Sequence, residues 1–434
     1  MRYLSTRNRE EVGLLHAVMH GLAADGGLFV PEELPRFKPD DFRGETLAEI
    51  AVELLTPFFE DSELRSDLPA ICNDALDFPV PLRTLVANEL SVLELFHGPT
   101  AAFKDVGARF LAATMERALP LIASDERPLT ILVATSGDTG GAVAAAFHGR
   151  RGIRVGVLFP KGQVSARQRH QLTCWGGNVR AYEIAGSFDD CQRLVKAAFV
   201  DPDLAKRHRL SAANSINIGR LLPQAAYHAA GSLWHYRAQG SSAGSIVPTG
   251  NLGNGLACLW AQAMGLPIRE VVLAVNANRT IPDFLATGQW QPRASRQTLA
   301  SAMDVGNPSN MERLRDLLPD FTALRGAVEA YPVDDTEIRE EIAAGFARYG
   351  EVWCPHTATG FWVYDHLPPA RKAGLPWIVS ATAHPAKFEG IVEPIIGREV
   401  SVPPSLAELL HRPSSSIELP AALMSLAAEL DAWQ

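Results

Sequence analysis

The sequence predicts an α/β protein whose parallel sheets are covered by helices on both faces. From about residue 90 onwards, short runs of Val, Ile and Leu alternate with longer helix-like segments. Buried parallel strands show such continuous apolar runs, and parallel strands are joined by helical crossovers. Unusual polar residues directly follow several of these runs. Ligands bind beyond the carboxyl ends of strands in such sheets, so we expect one composite site there.

The predicted elements follow a regular order along the chain. Amphipathic helical sequence is present at 47–59, and turn-forming residues are present at 24–35. Strands are predicted at 91–96, 129–136, 153–160, 245–250, 270–278 and 376–385. Helices are predicted after the first four of these apolar runs, at 103–122, 137–150, 162–176 and 251–265.

Length and composition indicate a globular protein of two or three domains. The chain has 434 residues, of which 47% are hydrophobic and 21% are charged. Its net charge of −9, without a basic run, argues against nucleic-acid binding. No apolar run predicts a membrane helix or a secretory signal. The five scattered cysteines favour a reduced compartment over a zinc site or disulfide framework, so we expect a cytoplasmic protein.

Lys104 stands in an unusual place, between Phe103 and Asp105 in LFHGPTAAFKDVGARF at 95–110. It follows a Gly-Pro turn and opens a helix-like run. The helix dipole opposes a cation at a helix start. A lysine whose charge is discouraged is a better amine nucleophile, and amine nucleophiles form Schiff bases with carbonyl compounds.

Two glycine-rich turns each link a predicted strand to a predicted helix. PTGNLGNG at 248–255 permits close backbone approach at a helix start, which suits a phosphate. The alternative is a tight turn whose Asn residues cap the helix. In ATSGDTGGAVAAA at 134–146, backbone amides of small residues suit a carboxylate. Asp138 is the unusual member of that turn, and it is either a functional anion or the helix N-cap.

Two further stretches are rich in polar and basic residues. NSINIGRLLPQAAYH at 214–228 is either a second clamp for phosphate or carboxylate or a capped amphipathic helix. FPKGQVSARQRHQ at 159–171 either steers an anionic substrate or forms a solvated basic helix face. The residues that raise these questions are Ser215, Asn217 and Arg220 in the first stretch and Lys161, Ser165, Arg167 and Arg169 in the second.

The last strong strand is followed by SATAHPAKFEG at 380–390, which contains Thr382, His384 and Lys387. A hydroxyl there suits the ring nitrogen of a ligand, whereas a lone His before Pro is more often a turn residue. The metal-binding HExxH motif is absent from the sequence, and no predicted strand leads into a helix through the GxSxG elbow of hydrolases, so neither a metal site nor a hydrolase is predicted.

Six motifs, taken together and in order, resemble one enzyme family. They are AFKDVGARF, TSGDTGGA, NSINIGR, PTGNLGNGLA, SAMDVGNPSN and TAHPAKF. The set closely resembles the threonine synthase family of pyridoxal-phosphate enzymes, which have the tryptophan-synthase-β-like fold. GLAADGGLFVPEELP resembles the opening of the family's longer bacterial and fungal class. The resemblance runs to about residue 390, and we recognise no motif in 401–434.

The resemblance implies a fold and an activity. The fold is two open, mainly parallel twisted sheets flanked by helices (pyridoxal-phosphate fold type II), with a mostly helical N-terminal segment. The implied divisions are an N-terminal segment at 1–85, a larger cofactor-binding domain at 86–125 and 230–400, a smaller domain at 126–229 and a tail at 401–434. The family converts O-phospho-L-homoserine and water to L-threonine and phosphate. The resemblance leaves monomer and homodimer open.

The resemblance also implies which residues bind pyridoxal phosphate. Lys104 matches the lysine that forms the internal Schiff base; Lys161 and Lys387 do not match that motif. Thr382 matches the hydroxyl beside the pyridine nitrogen, and Asp138 matches a position beside the 3′-oxygen. The cofactor phosphate is expected in the turn formed by Gly250, Asn251, Leu252, Gly253 and Asn254, where Leu252 replaces the Phe of the family pattern.

Substrate-binding positions are implied in the same way. Ser136 and Thr139 are expected to hold the substrate carboxylate. Ser215, Asn217 and Arg220 align with positions that hold the substrate phosphate, with help from Lys161. Two alternatives stay open at this stage. One is a phospho-lyase, dehydratase or related synthase of the same fold. The other is a catalytically silent anion- or nucleotide-binding protein on a doubly wound fold, which needs neither Lys104 nor Thr382.

Overall fold

Three β-sheets organise the chain in the computed structural model, which describes residues 1–122 and 127–433. The strands are β1 (Tyr3–Ser5), β2 (Glu11–Val12), β3 (Phe29–Pro31), β4 (Leu82–Val86), β5 (Leu90–Glu94), β6 (Leu129–Ala134), β7 (Ile153–Pro160), β8 (Val179–Ala185), β9 (Leu210–Ser211), β10 (Ala243–Pro248), β11 (Ile268–Val275), β12 (Glu329–Pro332), β13 (Trp377–Ala381) and β14 (Ile417–Pro420).

The α-helices are α1 (Leu14–His20), α2 (Leu47–Leu55), α3 (Leu68–Ala75), α4 (Lys104–Ile122), α5 (Asp138–Phe147), α6 (Ala166–Thr173), α7 (Phe188–Val200), α8 (Pro202–His208), α9 (Ile218–Gln239), α10 (Gly253–Ala263), α11 (Thr280–Thr287), α12 (Met311–Leu317), α13 (Phe321–Ala327), α14 (Asp335–Tyr349), α15 (Pro355–His366), α16 (Pro369–Gly374), α17 (Glu389–Ile396), α18 (Pro404–Leu410) and α19 (Leu423–Asp431). Short 3₁₀ turns lie at Pro39–Asp41, Thr56–Phe59, Arg65–Asp67, Ser301–Met303 and Pro385–Phe388.

Two open sheets carry the architecture, as the sequence predicts. The larger has the order β12-β11-β10-β13-β5-β4 and the smaller has the order β14-β8-β7-β6-β9. All neighbours are parallel except the antiparallel pair β4 and β5. The six predicted strands correspond to β5, β6, β7, β10, β11 and β13. The expected boundary at 125/126 between larger and smaller domains lies outside the described residues.

The N-terminal segment contains the expected helices α1, α2 and α3, and it also contains a small antiparallel sheet of order β2-β1-β3. Its strands are only two or three residues long, too short for a period-two pattern to be read from the sequence. Tyr3 and Phe29 nevertheless lie fully buried in the main core. The segment is therefore packed onto the rest of the chain.

The strands of the larger sheet bring the polar residues together. Every residue of β5, β10 and β13 is buried, which explains their continuous apolar sequence. Because these strands are parallel, the chain leaves them all at one edge, where Lys104, Thr249 and Thr382 follow them. Across residues 1–122 and 127–433, no helix combines the length and apolar character needed to cross a membrane.

The C-terminal residues complete the smaller sheet. Strand β14 pairs with β8, and α19 packs Leu426 and Leu430 against Tyr182 and Leu194. The segment after residue 400 thus supplies both an edge strand and part of a hydrophobic core. The sequence did not indicate either role, because no motif was recognised in this segment.

This packing predicts a stability difference between two neighbours on α19. Leu426 is fully buried, so Leu426→Ala should lower the free energy of unfolding by about 2–4 kcal/mol. Met424 is 86% exposed, so Met424→Ala should change it by less than about 0.5 kcal/mol. Urea unfolding followed by circular dichroism measures both, and equal effects would contradict the docking of α19.

Candidate active site

A cavity lies at the carboxyl edge of the larger sheet, facing helices α5 and α9. Its walls include Lys104, Asp138, Thr139, Arg220, Thr382 and parts of the turn at 249–254. These residues lie after strands β5, β6, β10 and β13 or at the start of a helix. Separate parts of the chain thus line one cavity, as the sequence predicted. Ser136 is half-buried but is not part of the cavity wall.

Lys104 is the first residue of α4, and its side chain is only 13% exposed. Its Nζ atom lies 4.0 Å from Asp138 Oδ2 and 4.8 Å from the centroid of the Phe103 ring. Burial lowers the pKa of Lys104 to about 8; Asp138 opposes this effect, whereas Lys387 and Arg220 add to it. About a tenth of the amine is therefore neutral, and nucleophilic, at pH 7, far more than for a lysine of ordinary pKa.

Asp138 begins α5 but does not cap it. The N-cap residue is Gly137, with φ 139°, and a Cβ there would lie 2.7 Å from the Gln168 side chain. Asp138 Oδ1 accepts a hydrogen bond from Gln168 Nε2 at 3.2 Å and lies 3.0 Å from Lys387 Nζ. Burial alone would raise the pKa of Asp138, but Lys387 and Lys104 hold it well below its usual range. The carboxylate is therefore ionised.

The turn after β10 presents the start of α10 to the cavity. Leu252 has a left-handed backbone with φ 65°, and the helix begins at Gly253. Asn251 Nδ2 donates to Ser215 Oγ at 2.6 Å, and Asn254 Nδ2 donates to Pro248 O at 2.9 Å. These two side chains fix the turn, while the first N–H groups of a helix lack partners within the helix. The turn therefore suits a phosphate.

Gly250 is needed in this turn for steric reasons. A Cβ at this position would lie 2.5 Å from Met303 Cα, which belongs to the backbone of the opposite wall. The turn and the segment around residue 303 therefore approach each other closely only because residue 250 has no side chain.

Thr382 supplies a hydroxyl without a protein partner. Its backbone N–H donates to Thr357 Oγ1 at 3.0 Å, and its carbonyl accepts from the Phe103 N–H at 2.8 Å. The backbone is thus fixed on both sides, yet the buried Oγ1 atom has no hydrogen-bond partner among the described residues. A buried hydroxyl of this kind is satisfied when a ligand atom bonds to it.

Arg220 supplies a buried guanidinium. Its Nη1 atom donates to Ala213 O at 2.6 Å, whereas Nε has no partner in the described part of the chain. Burial lowers the pKa of Arg220 to about 10, and Asp105 and Tyr227 oppose that effect. No carboxylate lies within 4.0 Å of Arg220 in residues 1–122 and 127–433, so an anion in the cavity would be bound strongly.

Two of the predicted substrate residues lie elsewhere. The Asn217 side chain caps α9 by accepting from the Gly219 N–H at 2.9 Å, and it donates to Val18 O at 2.7 Å. The geometry thus matches the helix-cap interpretation left open by the sequence. Lys161 is half exposed and bonds to Glu418 at 2.8 Å, so it contacts the C-terminal strand β14.

His384 lies in a turn, as the sequence favours, whereas His356 lies in the cavity wall. His384 is absent from the cavity wall, and its Nδ1 atom accepts from the Ala386 N–H at 3.2 Å, as a turn residue does. His356 lines the cavity although no sequence signal marked it. Its Nε2 atom accepts from the Ala302 N–H at 3.0 Å, and its buried Nδ1 has no partner among the described residues.

His356 is held neutral. Burial lowers its pKa to about 3; Asp138 opposes this effect, and Lys104 and Lys387 add to it. A neutral ring that accepts at Nε2 carries its hydrogen on Nδ1. His356 is therefore a hydrogen-bond donor beside the cavity. It follows Pro355 at the start of α15, where neither a preceding strand nor a glycine-rich turn draws attention to it.

Comparisons with known proteins give the family. Residues 80–374 match the family model for pyridoxal-phosphate-dependent enzymes, residues 2–76 match the threonine synthase N terminus, and residues 357–429 match the threonine synthase C-terminal model. The threonine synthase of Serratia marcescens is 38% identical over 423 residues, covering 96% of each chain. The chain belongs to the threonine synthase family.

Solved structures agree with this assignment. The Escherichia coli threonine synthase structure superposes with a TM-score of 0.89 at 35% identity and covers 100% of both chains. The pyridoxal-phosphate-bound Brucella melitensis threonine synthase gives a TM-score of 0.91 at 35% identity, covering 100% of this chain and 99% of that one. The C-terminal family model also covers the tail, which carried no recognised motif.

The residues of the cavity fit pyridoxal phosphate, the cofactor of the family. An aldehyde requires a neutral amine, which Lys104 provides, and a phosphate requires anion-binding N–H groups, which the start of α10 provides. The ring nitrogen requires a partner, and the unpaired hydroxyl of Thr382 is available. Family membership and fit together make this chain a pyridoxal-phosphate-dependent lyase of the threonine synthase type.

Thr382 and Thr357, which are joined by one hydrogen bond, provide a test of the role of the Thr382 hydroxyl. Because Thr382 Oγ1 has no partner among the described residues, Thr382→Val should leave the stability of the cofactor-free protein unchanged or slightly higher. The same change should weaken cofactor binding. Thr357→Val removes the acceptor of the buried Thr382 N–H and should cost about 1–3 kcal/mol of stability. Thermal unfolding and fluorescence titration with pyridoxal phosphate measure both effects; a Thr382→Val loss as large as that of Thr357→Val would contradict this geometry.

Proposed function

We propose that the chain converts O-phospho-L-homoserine and water into L-threonine and phosphate, with Lys104 as the residue that binds the cofactor covalently. One observation carries this proposal: a buried amine of lowered pKa lines the same cavity as a buried guanidinium that has no carboxylate partner among the described residues. The first suits an aldehyde cofactor, and the second suits a phosphorylated substrate. When bound, pyridoxal phosphate supplies an electron-accepting ring that stabilises negative charge at the substrate Cα atom.

We propose that the remaining cofactor contacts come from three places. The N–H groups of the turn at 250–254 hold the cofactor phosphate, and the Thr382 hydroxyl bonds to the pyridine nitrogen. Asp138 would lie beside the 3′-oxygen of the bound cofactor. A neutral hydroxyl at the ring nitrogen favours the unprotonated pyridine more than a carboxylate does, which suits elimination better than transamination.

The substrate contacts that we propose are fewer than the motifs imply. Arg220 binds the substrate phosphate, and Ser215, which Asn251 holds in place, assists it. Thr139 in the cavity wall and the neighbouring Ser136 bind the carboxylate. Asn217 and Lys161 support this site from outside the cavity, Asn217 as the cap of α9 and Lys161 through its contact with Glu418.

The residues account for the proton movements and for the leaving group. When it is free of the cofactor, the neutral Lys104 amine would remove a proton from the substrate Cα atom and then one from Cβ. Phosphate leaves from Cγ, where the Arg220 guanidinium stabilises its growing negative charge. Protonation at Cγ and addition of water at Cβ follow, and the return of a proton to Cα completes threonine.

We propose a cytoplasmic enzyme that acts as a monomer or a homodimer on a small-molecule substrate. All five cysteines are free and buried, which is consistent with a reducing compartment.

A labelling experiment tests the assignment of Lys104. The purified protein should show the visible absorbance of bound pyridoxal phosphate, and reduction with borohydride followed by peptide mapping should place the label on Lys104. It should release phosphate and threonine in equal amounts from O-phospho-L-homoserine. A label on another lysine would contradict the site, and phosphate without threonine would indicate a phospho-lyase.

Substitution of Arg220 separates substrate binding from cofactor binding. Arg220→Ala should lower kcat/KM for phosphohomoserine by about 100-fold or more, since a charge-assisted phosphate contact of about 3 kcal/mol is lost. Affinity for pyridoxal phosphate should change far less. Arg237→Ala is the matched control on the same helix, because Arg237 bonds to the carbonyls of Gly44 and Phe42, which are not part of the cavity wall. Equal losses of turnover and cofactor affinity in Arg220→Ala would refute the phosphate role.

A further inference from the structure

Lys387 is a fully buried cation that the proposed reaction does not use. It lies in the 3₁₀ turn Pro385–Phe388 after β13, its side chain is 0% exposed, and it is not part of the cavity wall. Its Nζ atom donates to Thr100 O at 2.7 Å and lies 3.0 Å from Asp138 Oδ1. Burying an ammonium is costly unless it is paired, so the contact with Asp138 needs an explanation.

Asp138 lies between Lys387 and Lys104 and is closer to Lys387. Its Oδ1 atom is occupied by Lys387 at 3.0 Å and by Gln168 Nε2 at 3.2 Å, whereas its Oδ2 atom faces Lys104 Nζ at 4.0 Å. The carboxylate is therefore bonded to the lysine behind the cavity and only approaches the lysine in the cavity wall.

The position of Lys387 is fixed from the opposite side. Thr100, whose carbonyl accepts from Lys387, also donates to Asp105 through its N–H at 2.8 Å and through Oγ1 at 2.6 Å. Asp105 is the neighbour of Lys104 in α4, so Lys387 is anchored to the same segment that presents the reactive amine.

We propose that Lys387 is a positioning residue: its ammonium group neutralises Asp138 and so increases the fraction of the Lys104 amine that is neutral and nucleophilic. The inference rests on the proposed function of Lys104. Without Lys387, Asp138 would face Lys104 as an uncompensated anion and would favour the ammonium form of Lys104.

The charges around Lys104 support this direction. Burial lowers its pKa; Asp138 opposes this effect, and Lys387 and Arg220 add to it. His356, which also faces Asp138, is neutral and cannot replace the charge of Lys387. Loss of Lys387 removes one of the two cations that lower the pKa of Lys104. Because Asp138 remains and raises this pKa, the pKa should increase.

The test uses the full-length chain stripped of cofactor, and it needs no substrate. The rate at which pyridoxal phosphate is incorporated into Lys104 is followed by absorbance and borohydride trapping between about pH 6 and pH 10. The wild-type profile should have a midpoint near the Lys104 pKa of about 8. Lys387→Met should move this midpoint upwards by one pH unit or more, which makes incorporation at least about tenfold slower below pH 8.

Three variants separate a charge effect from a structural effect. Lys387→Arg keeps the cation and should retain the wild-type midpoint. The double variant Lys387→Met with Asp138→Asn removes both partners and should return the midpoint to the wild-type value or below. Lys196→Met removes a positive charge from the exposed face of α7 and should leave the midpoint unchanged.

The outcomes distinguish this inference from the proposed function. A wild-type protein that takes up no pyridoxal phosphate at Lys104 would refute the proposed function itself. Normal wild-type uptake, with an unchanged midpoint in a folded Lys387→Met protein, would refute only the role of Lys387. If Lys387→Met does not fold, adding Asp138→Asn must restore folding, because the pair is then removed together; failure to do so would also refute the inference.

Discussion

An excess of buried positive charge at the carboxyl edge of the larger sheet underlies the rest of the site. Lys104, Arg220 and Lys387 are enclosed there with two carboxylates, Asp105 and Asp138. Charges interact strongly in such a poorly solvated region. The imbalance is relieved when Lys104 loses its proton or when an anion enters. The same imbalance therefore produces a reactive amine in the free protein and affinity for phosphate groups.

Unpaired donors complement this excess charge. Arg220 Nε, Thr382 Oγ1 and His356 Nδ1 are buried without a partner among the described residues, and all three side chains line one cavity. Each such atom reduces the stability of the free protein because its bond to water is lost. A ligand that carries acceptors at these points restores the lost bonds. Their clustering, more than any one of them, identifies the cavity as a binding site.

The sequence revealed the parts of the site that follow strands. Lys104, Asp138, Thr382 and the turn at 250–254 could be predicted because parallel strands deliver their following residues to one edge. His356 could not be predicted, since it comes from the start of a helix in another region of the chain. The short N-terminal strands and the pairing of β14 with β8 also escaped prediction, because strands of two to four residues acquire their structure from tertiary partners.

Arg313 links these parts to the N-terminal segment. It is fully buried in α12, and it donates to Phe29 O at 2.9 Å, to Ile216 O at 2.7 Å and to Asn310 Oδ1 at 2.7 Å. Asn310 in turn donates to Asn251 O at 3.0 Å. The guanidinium of Arg313 therefore fixes the relative positions of strand β3, the segment before α9 and, through Asn310, the turn at 250–254. Its hydrogen-bond partners among the described residues are neutral, and the nearby Glu312 offsets its charge only in part. The guanidinium therefore adds to the positive potential on this side of the cavity.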